Sequence, residues 1–402
     1  MKSQRANLAL AALFLGTFVL GTAELIVVGV LNLIATDLHV SVPMAGTLVT
    51  ANALGLALGG PVLTALTIKL NRRTVLVGAT AVFIAANLVP LLTSTFGLFV
   101  AARSVAGAVQ GLFIAAAFGA GIAVVPPDRM GRAFSVVISG VAVSAALGVP
   151  LGTLVGQAVG WRGAFVGVVV LAVLALMAVA VLIPSVQSTG GGAGNQARYA
   201  FAPRVLAVLG LNFLVFAALF ATITYIVPFL SSITGISGPM LSVFLLAYGL
   251  ATAIGSFGGG RFADSNAART LTVGTVGVAA ALLALYVVGT VAFLVALALL
   301  ALGLSGFVMA PSLQYRVVEL AGPGAQLAQS LPASAINLGV AFGSAAGGVA
   351  IGSHTASAPV LTSLVLAVVA VPVAWSTSRL RPPATSVQTN SAPASQPAGA
   401  AA

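Results

Sequence analysis

The sequence predicts an all-α membrane protein whose twelve transmembrane helices form two pseudo-symmetric six-helix bundles. Hydrophobic residues make up 60% of the chain and charged residues only 5%, against about a quarter charged in soluble domains. Apolar runs of membrane-spanning length recur twelve times. The run pattern of the first half returns in the second at an offset of 196 residues, the distance from Thr64 to Gly260. Weak symmetry between halves of six spans is the signature expected of secondary transporters.

Crossing roughly 30 Å of hydrocarbon at about 1.5 Å per residue takes about 20 residues of helix. On that measure spans 1 to 6 cover 8–30, 44–67, 74–92, 98–124, 133–155 and 164–183, and spans 7 to 12 cover 205–229, 240–262, 270–288, 291–310, 327–351 and 358–375. Lys2 and Arg5 ahead of the first run resemble the start of a secretory signal. That run is too long for a signal core, Glu24 interrupts it, and eleven more spans follow, so it reads as an uncleaved helix.

The basic residues fix an orientation. Lys2, Arg5, Lys69, Arg72, Arg73, Arg129, Arg132, Arg198, Arg204, Arg261, Arg269, Arg316, Arg379 and Arg381 fall on the side of the N-terminus, Arg162 falls opposite, and Arg103 lies within a span. The positive-inside rule then places both termini in the cytoplasm of a plasma-membrane protein. It also accounts for the formal net charge of +11 without a nucleic-acid partner, which would need those residues on one soluble face. There is no Cys, so thiolate metal and disulfide chemistry are excluded.

Four segments are expected: an N-terminal bundle (1–183), a cytoplasmic linker (184–203), a C-terminal bundle (204–380) and a disordered tail (381–402). The linker holds the glycine-rich run 188–194, which no Gly-Lys-Ser/Thr follows, so a flexible connection fits better than a phosphate cradle. The tail is rich in Pro, Ala, Ser, Thr and Gln and lacks apolar periodicity.

Glu24 sits in the middle of span 1. A carboxylate there costs about 2.5 to 3.5 kcal/mol on insertion scales, so it should face protein or water rather than lipid. Arg103 in span 4 cannot deprotonate and needs an acceptor; Glu24 is the acid within the first six spans. A pair between them offers a route to coupling, since protonating Glu24 would release Arg103; a static ion pair is the plainer alternative. Asn52, Gln110, Asn212, Tyr225, Tyr248 and Asn337 are the remaining candidates for a cavity lining, although such residues also serve as helix-to-helix bonds or belt aromatics. Tyr225 and Pro228 are placed at the outer mouth. Gly140, Gly148, Gly152 and Gly156 share a face of span 5 suited to close packing, and Pro150 is expected to bend it.

Several of these residues fall in recognisable motifs. The ends of spans 2 and 8, Thr64 to Arg73 and Gly260 to Arg269, resemble the Gly-x-Leu-Ala-Asp-Arg-x-Gly-Arg-Arg cytoplasmic loop of the major facilitator superfamily. Ile68 stands where the first loop would carry Asp and Asn71 where it would carry Gly, while the second keeps Gly260, Asp264 and Arg269. The stretch from Arg103 to Gly111 is similar to the superfamily's proton-coupling motif, and Gly148, Val149, Pro150, Leu151 and Gly152 to its antiporter motif. Gly160-Trp161-Arg162 follows, as in the drug and proton antiporter branch with the chloramphenicol and sugar efflux proteins. The resemblance implies the superfamily fold, Arg103 in proton coupling, and Gly148, Pro150, Gly152, Arg72, Arg73, Asp264 and Arg269 in gating, with Asp264 carrying the gate acid alone; Glu24 joins Arg103 as a proton-coupling residue on the physical grounds above.

The expectation is a monomeric, proton-coupled antiporter that exports small neutral or singly charged amphiphilic molecules, with no cofactor and no metal. Its partners are the substrate, protons and the lipid bilayer. A proton-independent or proton-coupled transporter of a sugar, nucleoside or other metabolite is the alternative, and a non-transporting receptor the remote one. An intramembrane serine protease is disfavoured: span 10 has Gly303-Leu304-Ser305-Gly306, but His39 and His354 both fall in outer loops, away from any role as its base.

Overall fold

The computed structural model describes residues 2–67, 69–126, 136–137, 139–141, 143–185, 197–324, 328, 331–353 and 355–382, without the side chains of Lys2, Ser3, Val149, Ala197, Asp264 and Pro323. Their regular structure is helical throughout, as hydrocarbon demands of an unbroken chain that must satisfy its own backbone polar groups. The spans pack as two six-helix bundles with related internal order.

Among the described residues, eleven helices are long and apolar enough to cross a membrane. The difference from twelve lies in spans 5 and 6, which share the helical run Val149–Leu182. The chain turns within it at Val159 (φ −129°, ψ 15°) and Gly160 (φ 80°, ψ 161°). Before the turn, Gly148, Gly152 and Gly156 meet Thr22, Ile26 and Val30 in rising order, so span 5 runs parallel to span 1. After it, Arg162 bonds Ser94 at one end of span 3 and Arg73 bonds the Ala180 carbonyl at the other, so span 6 runs back. Spans 5 and 6 are therefore two antiparallel spans among the described residues, with a two-residue reversal in place of a loop.

Spans 8 and 9 are likewise one run, Pro239–Val287, broken at Asn266 (φ −163°, ψ 84°). The Asn266 side chain accepts from the Arg269 N–H at 2.9 Å and restarts the helix, as Asn71 does for Arg73 N–H at the head of span 3. Each half thus uses a capping Asn at the loop that the repeat singled out. Ser41, accepting from Met44 N–H with Pro43 in the first turn, starts span 2, and Pro203 starts span 7.

Two corrections concern the second half. Span 7 ends in two pieces, Pro203–Ile223 and Ile226–Ser232, with Tyr225 at the break. Span 10 does not stop near residue 310 but continues as Ala310–Ala321 after a break at Met309. Arg316, assigned to a loop by hydropathy, therefore lies on a helix and is buried, 6% exposed. The segment expected as a linker contains one short helix, Ala197–Ala200; its glycine-rich part and the tail beyond 382 lie outside the described residues.

The halves meet along two seams. Span 2 packs on span 11 and span 5 on span 8. At the end of the bundle farthest from the termini, Tyr225 fills the space beside Gly46, Gly347 and Gly348, and Pro43 touches Gly352. Thr50 donates to the Ala341 carbonyl at 3.5 Å. At the middle depth Gly249 abuts the Ala145 carbonyl. That contact falls in a π-helical turn, Ser144–Gly148, and a second such turn, Gly55–Gly59, interrupts span 2. Turns of this kind recur at functional sites within otherwise α-helical segments. Pro150 follows the first of them directly, with helical backbone on both sides; the sharp reversal of the run comes ten residues on, at Gly160.

Candidate proton and substrate site

Span 1 delivers Glu24 and span 4 delivers Arg103 and Gln110, which are two turns apart and so lie on one helix face. Arg103 is buried, 2% exposed, and its guanidinium does not close on the Glu24 carboxylate. It donates to the backbone carbonyls of Ala23 at 3.0 Å and Glu24 at 3.3 Å. The carboxylate's partner is Gln110, whose Nε2 donates to Glu24 Oε2 at 2.6 Å. Asn52 in span 2 extends the chain, donating from Nδ2 to Gln110 Oε1 at 3.4 Å. The sequence paired Glu24 with Arg103 and offered Gln110 and Asn52 only as cavity candidates; the structure joins all four in one network with an amide in the position expected of the guanidinium.

Glycine makes that network possible. A Cβ on Gly107 would stand 1.9 Å from the Asn52 carbonyl oxygen, and one on Gly55 2.1 Å from that of Ser104. Gly111 likewise meets Gly60 backbone to backbone. Spans 2 and 4 are therefore in main-chain contact, the close approach that small residues permit in membranes.

Two buried atoms of the network have no hydrogen-bond partner, Arg103 Nε and Asn52 Oδ1. A buried group left open in this way costs about 1–3 kcal/mol, and a carboxylate, a guanidinium and an unsatisfied amide at mid-membrane form a centre that can exchange a proton and receive a polar ligand group. Glu24 is the titratable member; around it, span 4 contributes Arg103, and neither span 2 nor 226–232 of span 7 carries any charged residue. Among the described residues no group of His, Asp and Glu is placed to hold a metal ion.

The other candidates are dispersed. Asn212 is fully buried in span 7 with neither amide atom bonded. Asn337 donates to the Ala333 carbonyl of its own helix at 2.9 Å, and Tyr248 is half-buried against the core. Tyr225 does not line a mouth: it is buried and its hydroxyl donates to the Ser344 carbonyl at 3.0 Å. Gly148 and Gly152 pack against Thr22 and Ile26, and Pro150 is buried between them. Of the loop residues, Arg73 ties span 3 to the Ala180 carbonyl of span 6, Arg72 lies beside Gly119, and Arg269 is exposed. The side chain of Asp264 and all of Ile68 lie outside the described residues.

Sequence reasoning missed two clusters. Asp37, at the end of span 1, accepts from Trp161 Nε1 at 3.0 Å and from Arg162, which stacks on Trp161 at 4.4 Å. Arg316 pairs with Glu319 at 2.7 Å and donates to the Thr377 and Leu380 carbonyls at the end of span 12. The i, i+3 spacing of Arg316 and Glu319 was the available signal, and the hydropathy drop at Gln314, Tyr315 and Arg316 hid it.

Comparison with known proteins follows the same architecture. The sequence matches the family described as the Major Facilitator Superfamily over residues 13–326 and again over 208–400. It is 34% identical over 347 residues to an uncharacterized MFS-type transporter, YtbD, of Bacillus subtilis, covering 85% of this chain and 88% of that one. It is 34% identical over 370 residues to a chloramphenicol resistance protein of Streptomyces lividans, covering 89% and 92%. An inner membrane transport protein of Escherichia coli, YdhP, is 30% identical over 351 residues, covering 86% and 90%. Among solved structures, an inward-facing bacterial homolog of the human lysosomal transporter Spinster aligns with a TM-score of 0.75 over 93% of this chain and 97% of that one, at 16% identity.

Proposed function

Since this chain belongs to the major facilitator superfamily, whose members are membrane transporters and not enzymes, we propose that it is a proton-coupled antiporter. On this reading it exports small neutral or singly charged amphiphilic molecules, antibiotics among them, by alternating access. The observation that carries the proposal is the bond between Gln110 and the Glu24 carboxylate, with Arg103 held against the carbonyls of Ala23 and Glu24. The similarity to a chloramphenicol resistance protein supports the substrate class.

The coupling runs through hydrogen-bond polarity. An ionised carboxylate only accepts, so Gln110 must turn its NH2 toward Glu24 and its carbonyl toward Asn52. Protonated Glu24 can donate, which frees Gln110 to turn over and changes what Asn52 presents. A substrate that needs the first arrangement and a proton that favours the second exclude one another, which is the condition for exchange.

Charge narrows the substrate. Glu24 and Arg103 together sum to zero when Glu24 is ionised and to one positive charge when it is protonated. Arg316, the buried arginine of the second half, is committed to Glu319 and two carbonyls. A dianion would demand at least two free cationic groups, so a phosphorylated metabolite is disfavoured. The amide pair of Gln110 and Asn52 favours an uncharged hydroxylated metabolite as the second reading.

Orientation follows from the arginines: Arg162, at the far end, is neutralised by Asp37. The basic excess at the other end supports cytoplasmic termini in the plasma membrane, and the site as described calls for no second copy of the chain.

The test is substrate-induced proton release from purified protein, for wild type and Glu24→Gln. Gln keeps the size of the side chain and removes its titration, so release should vanish. Release at the wild-type level from the variant would exclude Glu24 as the coupling residue. A panel of toxic compounds and metabolites assayed for efflux, with and without an uncoupler, separates the two substrate readings.

A further inference from the structure

A groove of about 260 Å³ opens between spans 7 and 12 at the end that carries the termini, lined by Ala207, Pro372, Val373, Ser376, Thr377 and Leu380. Its origin is legible in the residues. Pro372 lies inside the helix Ala358–Ser378, where it offers no backbone donor, and the Ser376 hydroxyl bonds the Pro372 carbonyl at 2.7 Å. Opposite stands Ala207, too small to fill the gap.

The rim is basic. Arg379 and Arg381 are exposed on the side of span 12; Arg198 lies just before the head of span 7, and Arg204 at that head donates from Nε to the Leu320 carbonyl at 2.7 Å. The stretches 197–210 and 372–382 contain no acid, and neighbouring Glu319 is taken by Arg316. The carbonyls of Thr377 and Leu380, which would repel an anion at the negative end of span 12, are also covered by Arg316. Span 7 starts at Pro203, and its N-cap Ala202 supplies no side-chain cap, presenting the positive end of its dipole on the other bank. Trp375, half exposed, supports the Arg379 guanidinium 3.4 Å from its ring centroid, an aromatic and cation pair at the level where lipid headgroups lie.

An apolar slot whose lining residue Leu380 is flanked by the exposed Arg379 and Arg381 matches one class of molecule, with acyl chains for the slot and a phosphodiester for the rim. We propose that this groove is a binding site for an anionic glycerophospholipid, its phosphate against Arg379 and Arg381 and one chain along Ala207, Val373 and Leu380. The site is independent of the substrate pathway, since neither Glu24 nor Arg103 belongs to it.

Native mass spectrometry of the full-length protein, released from mild detergent with phosphatidylglycerol or phosphatidylcholine added, reads the site without any transport assay. One phosphatidylglycerol should be retained in preference to phosphatidylcholine. The double variant Arg379→Gln with Arg381→Gln, both exposed and outside the packed core, should lower that retention about tenfold. Ala207→Phe, which fills the slot and leaves the charge alone, should lower it as well. Equal retention of both lipids, undiminished phosphatidylglycerol binding by the double variant, or an equivalent adduct of inorganic phosphate alone would each overturn the proposal. Antiport and lipid binding can fail separately, because proton release is measured at Glu24 and lipid retention at the rim.

Discussion

Gln110 decides more about the candidate site than its residue type suggests. Its side chain joins the Glu24 carboxylate to Asn52 across three spans. Replacing it by Leu removes the donor to the carboxylate and leaves Asn52 Nδ2 without an acceptor, a loss of about 1–3 kcal/mol per orphaned group. The expected outcome is a lower melting temperature in detergent together with weakened proton release; a Gln110→Leu protein with wild-type melting and wild-type release would remove it from the network. How much of this was legible in the sequence differs residue by residue. Glu24 and Arg103 announce themselves because a charge in apolar sequence demands a partner. The sequence does not say which donor reaches the carboxylate, since Arg103 and Gln110 share a face and differ only in height by two turns. That height is set by how span 4 packs on span 1, where Phe113 fills the space beside Gly16, a tertiary contact invisible in either span alone.

At the scale of elements, the reversal at Gly160 is the sharpest constraint. Its φ of 80° and ψ of 161° lie in a region open to glycine alone, and nothing stands within 4 Å of where a Cβ would project. Gly160→Ala should therefore destabilise by about 1–3 kcal/mol through backbone strain with no steric clash, read as a shift in thermal unfolding. An unchanged melting temperature would mean that the turn relaxes to another conformation. Gly339→Ala tests the opposite case: φ is ordinary, but a Cβ would stand 2.4 Å from the Phe213 carbonyl oxygen. Spans 7 and 11 would have to separate, and transport should fall along with stability; full activity at wild-type stability would show that the seam yields. The spans themselves were readable because apolar length is a one-dimensional quantity. The breaks were less so: spans 5 and 6 are divided by two residues, and span 10 continues through polar sequence because Arg316 and Glu319 satisfy one another.

For the molecule as a whole, the two bundles are closed together at the end far from the termini, with Tyr225 between Gly46 on one side and Gly347 and Gly348 on the other. Tyr225→Ala should empty that contact, at a cost of about 3–5 kcal/mol for a large side chain lost from a packed site, and let the ends part. Distances between spin labels at Ser41 and Thr355 are expected to widen, and an unchanged distribution would place the closure elsewhere along the seams. The two bundles and their repeat were visible in the sequence; which end is shut was not, because closure depends on contacts between halves that no periodicity records. That shut end has an electrical side. A membrane holding a proton gradient behaves as a charged insulator, and a transporter is a thin spot in it. Here the thin spot is plugged by a ring wedged against bare backbone, its hydroxyl already committed to the Ser344 carbonyl rather than left open to relay a proton.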